Sequence, residues 1–343
     1  MKRLLNTIYI TTQGSYLYRD GETVVVRVNG ETKLQIPIHT IGGIVCFGQM
    51  SISSPLMGLC SEHGVAISLL TEHGRFIASI HGPFSGNVLL RREQYRHADN
   101  LDMSAAIARS MVVAKIANCR TVLQRAVRDR PEPDLASKLS HASEQLAQHI
   151  GDLETEASLD AIRGKEGDAA RRYFSVFDEL ITSQKEDFFF HERNRRPPLD
   201  NMNALLSFIY TLLVHDVSAA LEGVGLDPAV GFLHRDRPGR TSLALDLMEE
   251  MRPYLADRLA LSLVNRQQIR GKGFRKAESG EITMNDATRK EVLLAYQKRK
   301  QEEMQHPFLG EKIALGLLPH AQALLLARYL RGDLDGYPPF FWR

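Results

Sequence analysis

Cysteine is scarce in this chain of 343 residues, which contains only Cys46, Cys60 and Cys119. An odd number of thiols without a C-x-x-C spacing argues against a disulfide framework and against a zinc knuckle. The same scarcity is typical of proteins in the reducing cytoplasm, where we expect this protein to reside.

Long hydrophobic runs are missing as well. Because the sequence has no stretch of about eighteen apolar residues, we expect no membrane span. Residues 1–5 resemble the start of a signal peptide, but Asn6 and Thr7 interrupt the apolar segment too early. Hydrophobic residues nevertheless make up 43% of the chain and charged residues 24%, which predicts a large core and excludes disorder as the dominant state.

Several common catalytic motifs are also absent. The sequence has no Walker motif, no G-x-G-x-x-G after a predicted strand and no G-x-S-x-G elbow. These absences argue against nucleotide-binding folds and against an α/β-hydrolase.

Charge is distributed unevenly, although the net charge is only +2. Residues 1–95 carry a net charge of +2, residues 96–250 of −6 and residues 251–343 of +6. An acidic middle followed by a basic end can place a cation beside a polyanion, which hints at nucleic acid. Ordinary variation among solvated faces explains the same numbers, so the charge pattern alone establishes no partner.

The first 95 residues have the pattern of short strands. Asp20-Gly21 and Asn29-Gly30 are hairpin signals, because these residues tolerate the positive φ that tight turns need. A short helix is predicted to begin at Ser54-Pro55 and to end near Gly64. The strands are predicted at 8–10, 16–18, 24–28, 36–38, 41–47, 65–70 and 76–80.

From about residue 96 the apolar period changes from two to 3.6, which predicts helices. One helix face is marked by Ile107 and Met111, and Asp200 is a candidate N-cap. Further helices are predicted at 157–182, 200–221, 241–264, 286–304 and 310–331. We therefore predict an α+β protein with a small β-rich domain over residues 1–95 and an all-α domain over residues 96–343.

Glu166 is predicted to lie on the apolar face of a helix. Apolar residues occur seven and four positions before it and three and seven positions after it: Leu159, Ile162, Ala169 and Tyr173. A carboxylate on such a face is costly to bury unless it meets a cation, a metal ion or a hydrogen-bond network. The alternative is a glutamate at the edge of the helix whose carboxylate reaches water.

His234, Asp246 and Glu249 are further candidates. His234 follows the apolar residues 230–233 and precedes a polar loop, where a histidine can equally be structural. Asp246 and Glu249 are three residues apart on one helix face, where two carboxylates repel each other unless a cation lies near them. An exposed acidic turn explains that pair just as simply.

Together these residues provide one imidazole and two or three carboxylates on separate elements. That set suits Mg²⁺ or Mn²⁺ better than structural zinc, which favours cysteine. Arg163 and Lys165 precede Glu166, whereas Arg240 and Arg252 flank the acidic helix. A divalent ion with basic surroundings indicates phosphodiester chemistry.

Several blocks of sequence point to a family. The blocks are RGKEG at 163–167, continued by residues 169–170 and 173–174, RRPP at 195–198, NALLSF at 203–208, GFLH at 231–234 and LDLMEEMRP at 245–253. In this order they resemble the universal CRISPR-associated integrase, the larger nuclease of spacer acquisition. The β-then-α layout matches that family over essentially the whole chain. The chain length and YPPF at 337–340 look most like the subtype I-C branch.

The resemblance implies a divalent-metal site built from a glutamate, a histidine and an acidic residue. These fall on Glu166, His234 and Glu249, and Asp246 matches a further acidic position with a supporting role. The implied reaction joins the 3′-hydroxyl ends of a spacer precursor to the CRISPR repeat by transesterification. With water as the nucleophile, or on branched DNA, the same site is expected to act as a nuclease.

The resemblance also implies an assembly. A homodimer is expected to form through the β domains, and two dimers are expected to clamp a small ferredoxin-like CRISPR partner in a heterohexamer. The substrates would be double-stranded and branched DNA. Phosphate contacts are expected from Arg163, Lys165, Arg240, Arg252, Lys272 and Arg275.

Two other functions compete with this interpretation. A nucleic-acid-binding scaffold with a degenerate site would keep the basic segment but would not need all three ligands. A metal hydrolase of small phosphate esters would be expected to have a compact ligand motif, which the sequence lacks. Cleavage of branched DNA with and without Mn²⁺ distinguishes the three.

Overall fold

The N-terminal part consists of two four-stranded sheets in a computed structural model that describes residues 6–72, 76–80, 82, 88–155, 158–195 and 197–342. The strands are β1 (Asn6–Ile10), β2 (Ser15–Asp20), β3 (Thr23–Val28), β4 (Glu31–Pro37), β5 (Ile41–Phe47), β6 (Met50–Ile52), β7 (Ala66–Leu70) and β8 (Phe76–Ile80). One sheet has the order β1-β5-β7-β8 and the other the order β4-β3-β2-β6. β1, β5 and β7 run parallel, whereas β2, β3 and β4 form antiparallel hairpins.

The predicted turns and the short helix of this part are confirmed. Gly21 connects β2 to β3 at φ 55°, and Asn29 and Gly30 connect β3 to β4 at φ 51° and 82°. Helix α1 (Ser54–Glu62) begins after Ser53, whose hydroxyl accepts a hydrogen bond from the Leu56 N–H.

The remainder of the described chain is mostly helical, which confirms the predicted α+β class. The helices are α2 (Val88–Asp99), α3 (Leu101–Asp129), α4 (Pro133–Thr155), α5 (Leu159–Ser175), α6 (Asn201–Val224), α7 (Ser242–Glu249), α8 (Arg258–Asn265), α9 (Asp286–Gln301) and α10 (Leu318–Leu330). The Asp200 carboxylate caps α6 by accepting from the Asn203 N–H at 2.7 Å, as predicted.

The structure departs from the predicted elements in several places. α2 begins at Val88, ahead of the expected change near residue 96. A π-helical turn, Arg252–Asp257, separates α7 from α8, because Pro253 has no N–H with which to continue an α-helix. Two antiparallel hairpins interrupt the region predicted to be all-α, and their three-residue strands are too short to show a period of two. The hairpins are β9 (Phe274–Lys276) with β10 (Ile282–Met284), and β11 (Glu303–Gln305) with β12 (Lys312–Ala314).

The sheet that contains β5 is shared by two hydrophobic cores. Ile44 and Cys46 face the core between the two sheets, whereas Val45 and Phe47 face the helical core. The Phe47 ring lies 5.8 Å from that of Phe208 on α6, between ring centres. The β-rich part is therefore packed directly against the helical core.

Helix α6 is rich in apolar residues, although it also carries Asp216 and Glu222. It is the one described helix that is long and apolar enough to cross a membrane. Its residues Leu205, Ile209 and Leu213 are fully buried in the helical core, and this packing accounts for its apolar character.

Candidate active site

Glu166 lies on the buried face of α5. The four apolar residues that predicted this face are all buried: Leu159, Ile162, Ala169 and Tyr173. The Glu166 side chain is 25% exposed, and its Oε1 binds the ammonium group of Lys115. The predicted face is therefore confirmed, and the carboxylate meets a cation supplied by the chain.

Lys115 bridges two of the predicted ligands. It lies on α3 with 7% of its surface exposed, and its Nζ is also 2.8 Å from Glu249 Oε2. Burial alone would lower the pKa of Lys115, but Glu249 and Glu166 outweigh burial and raise it. The ammonium therefore stays charged between the two carboxylates.

Glu249 is the last residue of α7 and is 2% exposed, so the alternative of an exposed acidic turn is wrong. Its Oε1 lies 2.6 Å from Nη1 of Arg252. Burial by itself would raise the pKa of Glu249, but Arg252, Lys115 and His234 together hold it at about 2. Glu249 is thus ionised at neutral pH, and His234 is close enough to act on it electrostatically.

Asp246 is fully buried, and its carboxylate holds the segment that carries His234. Oδ2 accepts hydrogen bonds from the N–H groups of Phe232 and Leu233 at 2.7 and 2.8 Å. Oδ1 accepts from the His234 N–H at 2.9 Å and lies 2.5 Å from His234 Nδ1. Both oxygens are thereby engaged, so the geometry gives Asp246 the task of orienting the imidazole.

The segment 227–234 is anchored from two further directions. The buried Gln94 donates from Nε2 to the carbonyl oxygens of Asp227 and Val230, each at 2.8 Å. Arg163 donates from Nε to the Leu233 carbonyl oxygen at 2.5 Å. A Cβ on Gly231 would lie 2.6 Å from Asp246 Oδ2, so only glycine allows this approach to α7.

The donor set fits a hard divalent cation. Glu166 and Glu249 already share one cation, and Glu249 Oε2 has no properly oriented hydrogen-bond donor, only the Lys115 ammonium nearby. The Nδ1 contact with Asp246 leaves His234 Nε2 as the ligand atom, an arrangement common among metal-binding histidines. As the side chains stand, no three His, Cys, Asp or Glu residues in the described ranges are close enough together to hold an ion.

The predicted phosphate-binding residues lie in different surroundings. Arg252 is 8% exposed against Glu249, which favours the role of orienting that carboxylate. Arg163 holds the histidine segment, and Lys165 forms an ion pair with Asp152 on α4. Contact of these three residues with DNA stays a prediction, and so does contact of Arg240, Lys272 and Arg275. Arg240 lines a cleft of about 730 Å³ beside α6, whereas Lys272 and Arg275 are exposed beside and on β9.

Lys115 itself did not emerge from the sequence, although a signal was present. It follows Met111 by four residues and Ala108 by seven, which places it on the buried face of α3. A lysine on such a face requires an anionic partner. Its partner Glu166 is 51 residues away in the chain, and no local pattern identifies it.

A second buried polar group lies behind the site and was also missed. Glu250 is fully buried and accepts hydrogen bonds from the Phe340 N–H, from the Tyr337 hydroxyl at 2.5 Å and from Gln322 Nε2 at 2.9 Å. Burial raises the pKa of Glu250 to about 8, although these donors oppose the rise. Asn118 on α3 binds the same segment through the Phe340 carbonyl at 2.9 Å. Residues 337–342 therefore support the end of α7 from behind.

Comparisons with known proteins point in one direction. The family model described as "CRISPR associated protein Cas1" matches residues 8–298. A CRISPR-associated endonuclease Cas1 from Chlorobaculum tepidum is 56% identical over 343 residues and covers 100% of both chains. A casposase bound to an integration product superposes with a TM-score of 0.85 at 21% identity, covering 99% of this chain and 95% of that one. A Cas6-RT-Cas1–Cas2 complex gives a TM-score of 0.83 at 21% identity, covering 99% of this chain and 36% of that one.

Proposed function

The chain belongs to the Cas1 endonuclease family, and from that membership and the geometry of the site we propose that it is a metal-dependent DNA endonuclease and integrase of CRISPR adaptation. One observation carries the proposal. Two buried or partly buried carboxylates, Glu166 and Glu249, share a cation beside a histidine whose Nδ1 is fixed by Asp246. Burying such charged groups costs free energy, and buried, coupled ionisable groups of this kind cluster at functional sites.

Each residue has a distinct task in this mechanism. A Mg²⁺ or Mn²⁺ ion held by Glu166, His234 and Glu249 would lower the pKa of the attacking hydroxyl and offset charge on the scissile phosphate. Asp246 keeps the imidazole in the tautomer that presents Nε2. Arg252 keeps Glu249 ionised and fixed in direction. In strand joining, the DNA 3′-hydroxyl forms the new phosphodiester bond as the old one breaks, and in hydrolysis water takes its place.

We also propose the assembly in which this chemistry takes place. The partners are double-stranded and branched DNA, a second copy bound through the β domain, and a small ferredoxin-like CRISPR protein in a heterohexamer. The shared fold of a casposase on its integration product and of a Cas1–Cas2 complex supports this proposal. Membership of subtype I-C stays a prediction.

Cleavage of branched DNA with and without Mn²⁺ tests the proposal. Glu166→Gln, His234→Ala and Glu249→Gln should each lower cleavage and strand transfer by about a hundredfold or more, because the Gln variants remove a ligand's negative charge and the Ala variant removes a ligand atom. The matched control is Glu144→Ala, which removes an exposed carboxylate on α4 and should leave activity unchanged.

Other results would point to other functions. Full Mn²⁺-dependent activity in one of the three variants would remove that residue from the ligand set. A wild-type protein that binds branched DNA without cleaving it would be a scaffold, and one that cleaves only small phosphate esters would be a different hydrolase.

A further inference from the structure

The two carboxylates of the proposed metal site are neutralised by two cations of the chain. Lys115 contacts Glu166 and Glu249, and Arg252 contacts Glu249 at 2.6 Å. The four side chains form one connected cluster in which two negative charges meet two positive charges.

The two cations are held differently. Arg252 lies over the Tyr210 ring at 5.0 Å and binds only Glu249 within the cluster. Lys115 lies between the two carboxylates. Its partner Glu166 is the most exposed member of the cluster, with a quarter of its side chain accessible to solvent. A divalent ion that reaches both carboxylates from solvent therefore meets the Lys115 ammonium.

We propose that Lys115 is a resident counter-cation that weakens divalent-metal binding in the free protein, so that the site is filled only when DNA phosphates are present. The inference rests on the proposed function. The charges of these four side chains sum to zero, so an added divalent ion brings two positive charges into a poorly hydrated place, where only the Asp246 carboxylate behind His234 offsets part of them. Backbone phosphates supply the missing negative charge, and metal and DNA then favour each other's binding by the same factor.

Lys115 is a positioning residue in this scheme, because it acts through the carboxylates and not on the substrate. The carboxylates of Glu166 and Glu249 would repel each other if they were alone. The Lys115 ammonium holds them together before the divalent ion binds. The consequence for the cell is a nuclease that carries little bound metal until it holds DNA.

Mn²⁺ binding to the full-length protein, measured by electron paramagnetic resonance, tests this role without relying on activity. Lys115→Met should bind Mn²⁺ about tenfold more tightly than the wild type, because a positive charge next to the ion is removed. Lys115→Arg retains the charge and should bind Mn²⁺ as weakly as the wild type. Adding a phosphorothioate duplex that resists cleavage should tighten Mn²⁺ binding to the wild type by about tenfold, after the Mn²⁺ bound by the duplex alone is subtracted.

The folding of Lys115→Met supplies a second readout, because that variant leaves two carboxylates without their shared cation. Mn²⁺ should raise its thermal midpoint more than that of the wild type, and should restore a cooperative transition if the metal-free variant is unfolded. Unchanged or weaker Mn²⁺ binding in Lys115→Met, or a failure of Mn²⁺ to stabilise it, would overturn the inference.

The proposed function and the role of Lys115 fail in different ways. If the wild type and both variants bind no Mn²⁺ with or without DNA, the proposed function falls and this inference falls with it. If all three bind Mn²⁺ with one affinity and cleave branched DNA, the proposed function stands and only the role of Lys115 is overturned.

Discussion

Glu249 and Glu250 are neighbours in the chain but differ sharply in proton affinity. The cations Arg252 and Lys115 hold the pKa of Glu249 at about 2 against the effect of burial. Glu250 has only neutral donors around it, and burial raises its pKa to about 8. The partners of each carboxylate, and not burial, therefore decide which of the two is charged at neutral pH.

Asp257 should make the stability of the protein depend on pH. It is 1% exposed on the π-helical turn, and burial raises its pKa to about 6 although the Tyr210 hydroxyl donates to it. The folded state then holds the proton more tightly than the unfolded chain, so this residue's contribution to stability falls as pH rises from about 4 to about 6. The unfolding free energy of Asp257→Asn relative to the wild type should increase by about 2 kcal/mol over that window, out of about 3 kcal/mol for the complete titration.

Urea denaturation at several pH values between 4.5 and 7.5 measures this difference. Tyr210→Phe is the companion variant, because it removes a hydrogen bond that lowers the pKa of Asp257. In that background the change should move to higher pH. A difference that is constant with pH would show that Asp257 stays ionised in the folded protein.

Individual site residues were predictable where helical spacing determines the face on which they lie. The apolar neighbours of Glu166 identified its buried face, and the residues three apart identified Asp246 and Glu249 as a pair. Their division of labour was not predictable from spacing, since it depends on Lys115 and on the backbone of 232–234, which come from distant parts of the chain.

The position of the segment 227–234 depends on its close contact with α7. A methyl group at Gly231 would lie 2.6 Å from Asp246 Oδ2 and 2.9 Å from the Ser242 carbonyl carbon. Gly231→Ala should therefore displace His234, lower the unfolding free energy by about 1–3 kcal/mol and abolish Mn²⁺-dependent cleavage.

The matched control is Gly58→Ala on α1, where an added Cβ meets nothing within 4 Å. Because Gly58 is an exposed residue inside a helix, the control should gain up to about 1 kcal/mol and keep its activity. Thermal melts and cleavage of branched DNA measure both effects. Normal cleavage by Gly231→Ala would mean that the segment can shift without moving the histidine.

The elements themselves were predictable in proportion to their length and regularity. α6 begins and ends close to its predicted limits, and α5 begins close to its predicted start, because each has a strong apolar face and a side-chain N-cap. α5 ends at Ser175, seven residues before its predicted end, and a short 3-10 helix, Phe177–Leu180, follows it. The predicted helix 241–264 was wrong in its middle, where Pro253 favours a π-helical turn. The predicted helix 310–331 begins only at Leu318, because residues 312–314 pair with β11.

The net positive charge of residues 251–343 predicts that DNA runs over this part of the protein. Lys272 and Arg275 are exposed, so each can neutralise one phosphate. Lys272→Glu/Arg275→Glu should weaken binding to every DNA sequence alike. The slope of log affinity against log salt should fall by about one for each phosphate that the variant no longer neutralises.

Fluorescence anisotropy over a range of salt concentrations gives the slope. Lys312→Glu/Arg328→Glu reverses two exposed charges on β12 and α10, and should leave the slope near that of the wild type. An equal decrease of the slope in both double variants would indicate a general charge effect and would place no specific path over β9.

The β-rich part is predicted to form the dimer interface, and β4 is an exposed edge strand of one of its sheets. Its residues Glu31, Thr32, Lys33 and Gln35 are exposed, and β4 is bonded to a strand on one side only. Amide hydrogen exchange of residues 31–37 in the full chain should slow as protein concentration rises through the association range, because a second copy covers the edge. Concentration-dependent protection confined to the exposed apolar start of α2, at Val88 and Leu89, would assign the interface to the helical part instead.

The sharing of one sheet between two cores has a consequence for how the sequence can vary. On β2, buried Leu17 lies between the more exposed Tyr16 and Tyr18, so polar substitutions are tolerable at alternate positions. On β5, four consecutive residues, 44–47, are buried by one core or the other, and no exposed position lies among them. In a library of single substitutions, β2 should therefore show tolerance with a period of two. Residues 44–47 of β5 should form an unbroken block of intolerant positions, comparable to a strand in the interior of a parallel α/β sheet.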